Sequence, residues 1–126
     1  MLQPLAAGGI ARERIELLPA TATRREHLET YGRIDVALDT FPYAGATTTL
    51  EALYMGVPVI TLAGDRHAAR LGVSILSALD LPDWIARDRR EYIARALRAA
   101  SEHSSKRFAP RCARACKVRR YATAAG

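Results

Sequence analysis

A short loop near the middle of the chain has residues suited to holding a negatively charged group. The run Gly45-Ala46-Thr47-Thr48-Thr49 follows an apolar segment and leads into a segment of helical character. A helix start presents free backbone N–H groups and the positive end of the helix dipole, and both attract anions. Gly45 has no Cβ, so an anion can approach the backbone closely, and the threonine hydroxyls add further donors. Together these groups suit a diphosphate.

The same loop also has a purely structural interpretation. Thr48 is a good N-cap residue, and Glu51 stands three positions later, where a capping box places its acid. Gly45 would then serve only the turn. The run matches neither the Walker sequence nor the G-x-G-x-x-G fingerprint, so the residues alone leave both interpretations open. Asp39, which ends the preceding apolar run, is expected to bond the loop amides in a structural role.

The segments around this loop predict an α/β fold. Three apolar runs, typical of short strands covered on both faces of a sheet, lie at 15–18, 34–38 and 57–62. Helices are predicted at 23–31, 48–55, 66–78 and 89–102. Strands separated by helices of this length form a parallel sheet, and ligands bind at the carboxyl edge of such a sheet. The loop lies at that edge.

Three of the predicted helix starts share one local pattern. A residue with a capping oxygen is followed by a glutamate three positions later, as in Thr23–Glu26, Thr48–Glu51 and Asp88–Glu91. In such a pair the first side chain accepts from an orphan amide, and the glutamate reaches back toward the cap. The repeated pattern supports these helix boundaries.

The positive charge of the chain is confined to its C-terminal tail. The net charge is +6 over 126 residues, yet residues 1–103 carry 12 Arg, no Lys and 13 acids. Residues 104–126 carry 7 basic residues and no acid, with few aromatics, so we expect nucleic acid to be an unlikely partner. Cys112 and Cys116 also lie in this tail and are interpreted as free thiols, since one C-x₃-C pair is a weak zinc signal. With neither a signal peptide nor a membrane span in the sequence, we expect a cytoplasmic location.

Longer stretches of the chain have a specific order and spacing. They are Leu38-Asp39-Thr40-Phe41-Pro42-Tyr43, Gly45-Ala46-Thr47-Thr48-Thr49-Leu50-Glu51-Ala52-Leu53 and Met55-Gly56-Val57-Pro58-Val59-Ile60-Thr61-Leu62. With His27 and Tyr31 before them, they resemble the C-terminal catalytic region of O-GlcNAc transferase/SPINDLY-type glycosyltransferases, in the bacterial branch linked to TPR arrays. The resemblance runs from Gly9 to about Ala100. It implies a Rossmann-like parallel sheet with flanking helices, as part of the C-terminal half of a GT-B glycosyltransferase.

The resemblance also implies a donor site and its chemistry. Members of the family use a UDP-sugar, typically UDP-N-acetylglucosamine, and glycosylate Ser or Thr of proteins without a required metal. The residues that this carries over as UDP-sugar contacts are Ala22, Arg24, His27, Gly45, Ala46, Thr47, Thr48 and Glu51. Thr47 and Thr48 would contact the diphosphate, Glu51 the ribose hydroxyls and His27 the nucleotide. At Ala46 the animal enzymes have a histidine, and at Arg24 a lysine.

The loss of apolar periodicity after Ser104, together with the extent of the resemblance, divides the chain into two parts. Residues 1–103 are expected to form an incomplete donor-nucleotide-binding domain, and residues 104–126 a basic tail outside the fold. The half that binds the acceptor protein is expected to be missing, so no catalytic residue, general base or metal ligand is nominated. We therefore expect little or no transfer by the chain alone. The alternatives are a non-catalytic nucleotide-binding module and a nucleic-acid binder that acts through its tail.

Overall fold

The computed structural model describes residues 3–103, which form a small parallel sheet with helices between and after its strands. The helices are α1 Gln3–Ala7, α2 Arg24–Thr30, α3 Thr47–Tyr54, α4 Leu71–Ala78 and α5 Arg89–His103. The strands are β1 Ala37–Leu38, β2 Val59–Leu62 and β3 Ile85–Ala86. The predicted basic tail and both cysteines lie outside the described residues.

The three strands are parallel, in the order β1-β2-β3. Leu38 pairs with Ile60, and Leu62 pairs with Ala86. The sheet thus confirms the predicted α/β class, and strands are found within the runs 34–38 and 57–62. The central strand β2 is buried at consecutive positions, with Ile60 fully inaccessible. Since successive side chains of a strand point to opposite faces, both faces of the sheet are covered.

The strand predicted at 15–18 is wrong for the described chain. A strand needs a neighbour to accept and donate its backbone hydrogen bonds, and this run has none among residues 3–103. Leu17 and Leu18 are accordingly exposed. A third strand is supplied instead by β3, which follows Trp84 and was not predicted because two residues are too short for a period-two pattern.

The hydrophobic core lies around β2 and joins the helices to the sheet. Leu53 of α3, Leu76 of α4 and Trp84 pack with Ile60, and Ala99 brings α5 into the same cluster. Within the described residues no helix is both long and apolar enough to span a bilayer.

Two of the three predicted capping pairs are confirmed. Thr23 accepts the Glu26 N–H at 3.2 Å, and Glu26 in turn accepts the Thr23 N–H at 3.3 Å. At α5 Asp88 accepts the Glu91 N–H at 2.8 Å. The helix predicted from residue 66 begins instead as the 3₁₀ turn His67–Ala69, and α4 follows at Leu71.

Candidate functional site

The loop between β1 and α3 leaves the carboxyl end of β1, as the sequence predicted. It contains a cis peptide bond between Phe41 and Pro42. The Thr40 hydroxyl donates to the Tyr43 carbonyl at 2.6 Å, and the Ala44 N–H donates to the Ala68 carbonyl at 3.1 Å. These contacts hold the loop beside the chain that follows β2.

The start of α3 has no side-chain cap. Its N-cap residue is Ala46, whose methyl group cannot accept a hydrogen bond, and Thr48 lies inside the helix, so the N-cap interpretation of Thr48 is wrong. The first backbone N–H of this segment to find a carbonyl is that of Leu50, which donates to Ala46 at 3.1 Å. Among residues 3–103 no acceptor meets the N–H groups of residues 46–49. Residues 46–48 are exposed, so their three N–H groups are available for a ligand, whereas Thr49 is buried.

The N–H group of Gly45 does not belong to this free set. It donates to Oδ1 of Asp39 at 2.7 Å, which confirms the structural role expected for Asp39. A Cβ at position 45 would lie 2.8 Å from Oγ1 of Thr48, closer than a side chain tolerates. A larger residue at position 45 would therefore have to displace the Thr48 hydroxyl, and glycine suits the close packing of the loop on the helix start.

The three threonines of the motif have different environments. Thr49 is buried, and its hydroxyl donates to the Gly45 carbonyl at 3.1 Å. Thr47 and Thr48 are exposed. The two hydroxyls that were predicted to contact a diphosphate are thus the two that solvent and ligand can reach.

Glu51 does not act as the partner of a capping box. Its Oε2 lies 3.0 Å from Nε2 of His27 and accepts the Tyr31 hydroxyl at 3.4 Å. The His27 and Tyr31 rings meet edge to face, with 5.6 Å between their centroids. Burial, followed by the charge of Glu51 and its hydrogen bond, raises the pKa of the Tyr31 phenol, so Tyr31 is a neutral donor at pH 7. Glu51 is therefore held by α2, and its second oxygen Oε1 accepts no hydrogen bond from residues 3–103.

The first residues of α2 contribute a free charge. Arg24 is exposed, and its guanidinium forms no ion pair or hydrogen bond with another residue of the described part of the chain. The N–H of Ala22 is already used, since it donates to Glu26 at 3.0 Å. A ligand can therefore meet Ala22 only through its carbonyl oxygen or methyl group.

A groove of about 930 Å³ runs across the outer face of α3, between α2 and α4. We call it the helix groove. It is lined by Arg24, Leu28, Thr47, Leu50, Glu51, Tyr54, Ser74, Ile75, Ala78 and Leu79. The groove is mainly apolar, and Arg24, Thr47, Glu51 and Ser74 are among its polar lining residues. Such a surface suits the flat and apolar parts of a nucleoside beside its charged end.

A second hollow of about 130 Å³ lies beneath the loop and contains Gly45 and Thr48. Five of the eight predicted site residues thus line one or other of the two spaces, namely Arg24, Thr47 and Glu51 the helix groove and Gly45 and Thr48 the hollow. Ala22, His27 and Ala46 line neither of them, although His27 contacts Glu51 directly.

A comparison with models of known protein families identifies the family of this chain. The model of glycosyl transferase family 41 matches residues 1–121. The chain belongs to glycosyl transferase family 41. The resemblance seen in the sequence is thereby confirmed.

Named relatives in family 41 agree with this assignment. The chain is 44% identical over 97 residues to the probable UDP-N-acetylglucosamine–peptide N-acetylglucosaminyltransferase SPINDLY of Solanum lycopersicum. It is 45% identical over 101 residues to the corresponding protein of Oryza sativa. These alignments cover 77% and 80% of the chain but only 10% and 11% of the relatives. The chain therefore spans about a tenth of the length of the curated relatives that it matches.

A solved family 41 structure has the same fold. A mutant of the Thermobaculum terrenum O-GlcNAc transferase superposes with a TM-score of 0.87 at 42% sequence identity. The match covers 93% of this chain and 22% of that protein. It confirms the predicted fold class, a Rossmann-like sheet belonging to a GT-B glycosyltransferase.

Two tyrosines of this family 41 chain were not predicted as part of the site. Tyr31 contacts both His27 and Glu51, and its position four residues after His27 on one helix face was an available signal. Tyr92 of α5 donates to the Asp39 carbonyl at 2.8 Å across 53 positions of sequence. No local pattern could have revealed that contact.

Proposed function

We propose that this chain provides the donor-nucleotide-binding part of a protein O-glycosyltransferase that uses a UDP-sugar, with UDP-N-acetylglucosamine as the donor. The observation that carries the proposal is the uncapped start of α3 in a chain of glycosyl transferase family 41. Its free N–H groups and the exposed hydroxyls of Thr47 and Thr48 suit a diphosphate.

The chemistry of glycosyl transfer explains why such donors are useful. As the bond between the anomeric carbon and the diphosphate oxygen lengthens, negative charge builds up on the leaving nucleoside diphosphate. Donors that are already in place stabilise this charge without reorganisation, and loss of one donor typically costs on the order of 10²–10³ in rate. The N–H groups of residues 46–48 and the two hydroxyls would serve this purpose.

The nucleoside would lie beside α2 and α3. In this proposal Oε1 of Glu51 accepts from the ribose hydroxyls, while His27 and Tyr31 hold Oε2. Arg24 lines the same groove as Thr47 and Glu51, and its unpaired guanidinium adds positive charge for the phosphates. A hydrogen bond between an arginine guanidinium and a phosphate is strong because both partners are charged.

Other parts of the reaction are assigned to regions beyond this chain. The relatives are several times longer, and no group in residues 3–103 is nominated as the general base or as an acceptor-binding residue. We expect the 126-residue chain to bind the nucleotide without transferring the sugar. In this proposal hydrogen-bond donors and Arg24 neutralise the diphosphate, so chelation of divalent metal by EDTA should leave nucleotide affinity unchanged. The cytoplasmic location expected from the sequence remains a prediction.

Calorimetric titration of UDP into the chain and its Thr47→Ala/Thr48→Ala variant tests the proposal. We expect the double variant to bind UDP at least about tenfold more weakly, since the loss of even one hydrogen bond to a charged group costs roughly 1.5–3 kcal/mol. Ser77→Ala is the matched control, because Ser77 is exposed on α4 and lies outside the helix groove.

Two further comparisons sharpen the test. UDP-N-acetylglucosamine should compete with UDP, and GDP and ADP report on the selectivity for the base. If the double variant binds UDP as tightly as the parent chain, the assignment of the diphosphate to α3 is wrong.

A further inference from the structure

Asp39 joins three parts of the molecule at the base of the loop. It is buried, and its Oδ2 accepts the hydroxyl of Thr61 in β2 at 2.7 Å. Its Oδ1 accepts the Gly45 N–H at 2.7 Å, and its main-chain carbonyl accepts the Tyr92 hydroxyl of α5 at 2.8 Å. The loop, the central strand and the last helix therefore converge on one residue.

The absence of a side chain at position 72 brings a fourth element to the same point. A Cβ on Gly72, the second residue of α4, would lie 2.4 Å from Oδ2 of Asp39 and 2.4 Å from Oγ1 of Thr61. Such distances exclude any side chain, so α4 lies directly against this carboxylate. On the side of Oδ2 the carboxylate is consequently packed closely against α4 and Thr61, although Asp39 also lines the 130 Å³ hollow beneath the loop.

The bond between Asp39 and Gly45 determines how the helix start is presented. Gly45 immediately precedes Ala46, where the set of free N–H groups begins. Anchoring Gly45 in the interior fixes the chain direction at this point before any anion arrives. Donors held in advance bind more strongly than mobile ones, because no ordering is needed when the ligand binds.

We propose that Asp39 is a positioning residue for nucleotide binding, which fixes Gly45 and thereby presents the N–H groups of residues 46–48 to a nucleoside diphosphate. The inference rests on the proposed function, since it requires a diphosphate at the start of α3. Asp39 itself does not contact the ligand. Both of its carboxylate oxygens are occupied by protein donors, and the residue is almost inaccessible.

Tyr92 extends this support to α5. Tyr92 donates its hydroxyl to Asp39, and its ring also meets the ring of Phe41 edge to face, with 5.6 Å between the centroids. The guanidinium of Arg89 lies 5.7 Å from the centre of the Phe41 ring. Burial, and next the charge of Asp39, raise the pKa of the Tyr92 phenol. Tyr92 therefore remains a donor throughout the neutral pH range.

The test compares Asp39→Ala with Asp39→Asn in the 126-residue chain. Asparagine retains an oxygen that can accept from Gly45, and its NH₂ group can donate to the Thr61 hydroxyl. UDP affinity is measured by calorimetry, and exchange of the Gly45 amide hydrogen is measured by NMR without nucleotide. We expect Asp39→Ala to weaken UDP binding at least about tenfold and to accelerate Gly45 exchange, because a buried donor is left without its acceptor. Asp39→Asn should stay within about threefold of the parent by both measures.

A matched control separates positioning from simple loss of stability. Ala99 lies in α5, seven residues after Tyr92. Because glycine has a low helix propensity, Ala99→Gly should lower the melting temperature and leave UDP affinity unchanged. Should Asp39→Ala fail to fold, Tyr92→Phe takes its place. It removes a single donor, keeps the ring, and should weaken UDP binding about three- to tenfold.

The outcomes distinguish this inference from the function on which it rests. If the parent chain binds UDP and Asp39→Ala binds it equally well, the positioning role is overturned and the proposed function stands. Equal weakening by Ala99→Gly, or failure of Asp39→Asn to restore affinity, would also overturn it. If the parent chain binds no UDP, both the proposed function and the positioning role are wrong.

Discussion

The helix starts of α2 and α3 carry the same sequence pattern and have different structures. Both have a threonine followed three positions later by a glutamate. At α2, Thr23 and Glu26 satisfy the free N–H groups reciprocally. At α3, Thr48 is one residue inside the helix, Ala46 is the N-cap, and Glu51 turns away to His27. One start is closed by its own side chains, and the other is open.

The comparison shows what distinguishes a structural helix start from a binding one. Unpaired N–H groups cost free energy unless water or a ligand accepts from them, so a fold with capping residues at hand normally uses them. In α3 the acid that could have served the cap forms a contact between helices. The donors at α3 are consequently left for an anion, while those at α2 are not.

The largest effect is expected from closing α3 in the way that α2 is closed. Ala46→Asp places a carboxylate at the N-cap, where it accepts from the amides of residues 48 and 49 and repels phosphate. We expect UDP affinity to fall at least about a hundredfold, while the free energy of unfolding rises by about 0.5–2 kcal/mol. Calorimetry and urea unfolding measure the two quantities. Ala46→Asn, an uncharged cap, is the control and should weaken UDP less; tight UDP binding by both variants would contradict the open-start model.

A smaller effect is expected from replacing Glu51 of α3. Glu51→Gln should weaken UDP binding about tenfold, since a carboxylate accepts ribose hydroxyls more strongly than an amide oxygen does. Glu29→Gln removes an equal charge from exposed Glu29, which pairs with Arg25 on α2, and should not change affinity. Titration calorimetry compares both with the parent chain. An equal response of the two variants would assign the effect to net charge rather than to the ribose.

Thr23, which caps α2, should matter for stability, whereas Thr48, which lies inside α3, should not. Thr23→Ala is expected to lower the free energy of unfolding by about 1 kcal/mol through the loss of the N-cap bond. Thr48→Ala should change it by less than about 0.5 kcal/mol, because the exposed Thr48 hydroxyl caps nothing. Urea denaturation followed by circular dichroism provides both values. Similar losses in the two variants would mean that Thr48 caps α3 in solution.

The smallest effect concerns Tyr31, whose hydroxyl contacts Glu51. Burial, and then the contact with Glu51, raise the pKa of Tyr31 in the folded state above the ordinary tyrosine value of about 10. Its contribution to stability is therefore present below about pH 10 and is lost as the pH rises through the folded-state value. Tyr31→Phe should flatten the alkaline decline of the melting temperature. Tyr43→Phe, at an exposed ring, should leave that decline unchanged; a flattening there as well would contradict the assignment to Tyr31.

Local patterns were sufficient to predict much of the fold. Alternation of apolar runs and helices indicated the parallel sheet, and the composition of Val57–Leu62 marked its buried central strand. The error at Ile15–Leu18 has a physical cause, because an apolar run is a strand only where a neighbour accepts its backbone hydrogen bonds. The two-residue strand β3 exists through its pairing with β2 and has too few residues for a pattern of its own.

The candidate site was predictable in composition and less so in geometry. Loop position, Gly45 and the exposed threonines followed from sequence, and Asp39 was correctly expected to bond a loop amide. The capping pattern could not tell that the N-cap would be Ala46 rather than Thr48, because a two-residue shift of a helix start is below the resolution of propensity. The contacts of Glu51 with α2 and of Tyr92 with Asp39 bridge distant positions, and only tertiary packing determines them.

Gly72 has a consequence for how this chain can vary. A single methyl group at that position would collide with two oxygen atoms, one of which belongs to the carboxylate that anchors the loop. Any substitution there forces α4 outward or displaces that carboxylate, and either movement reaches Gly45 through one hydrogen bond. Gly72 lies outside the proposed nucleotide site, yet the absence of a side chain there thus determines the shape of the surface on which a nucleotide would bind.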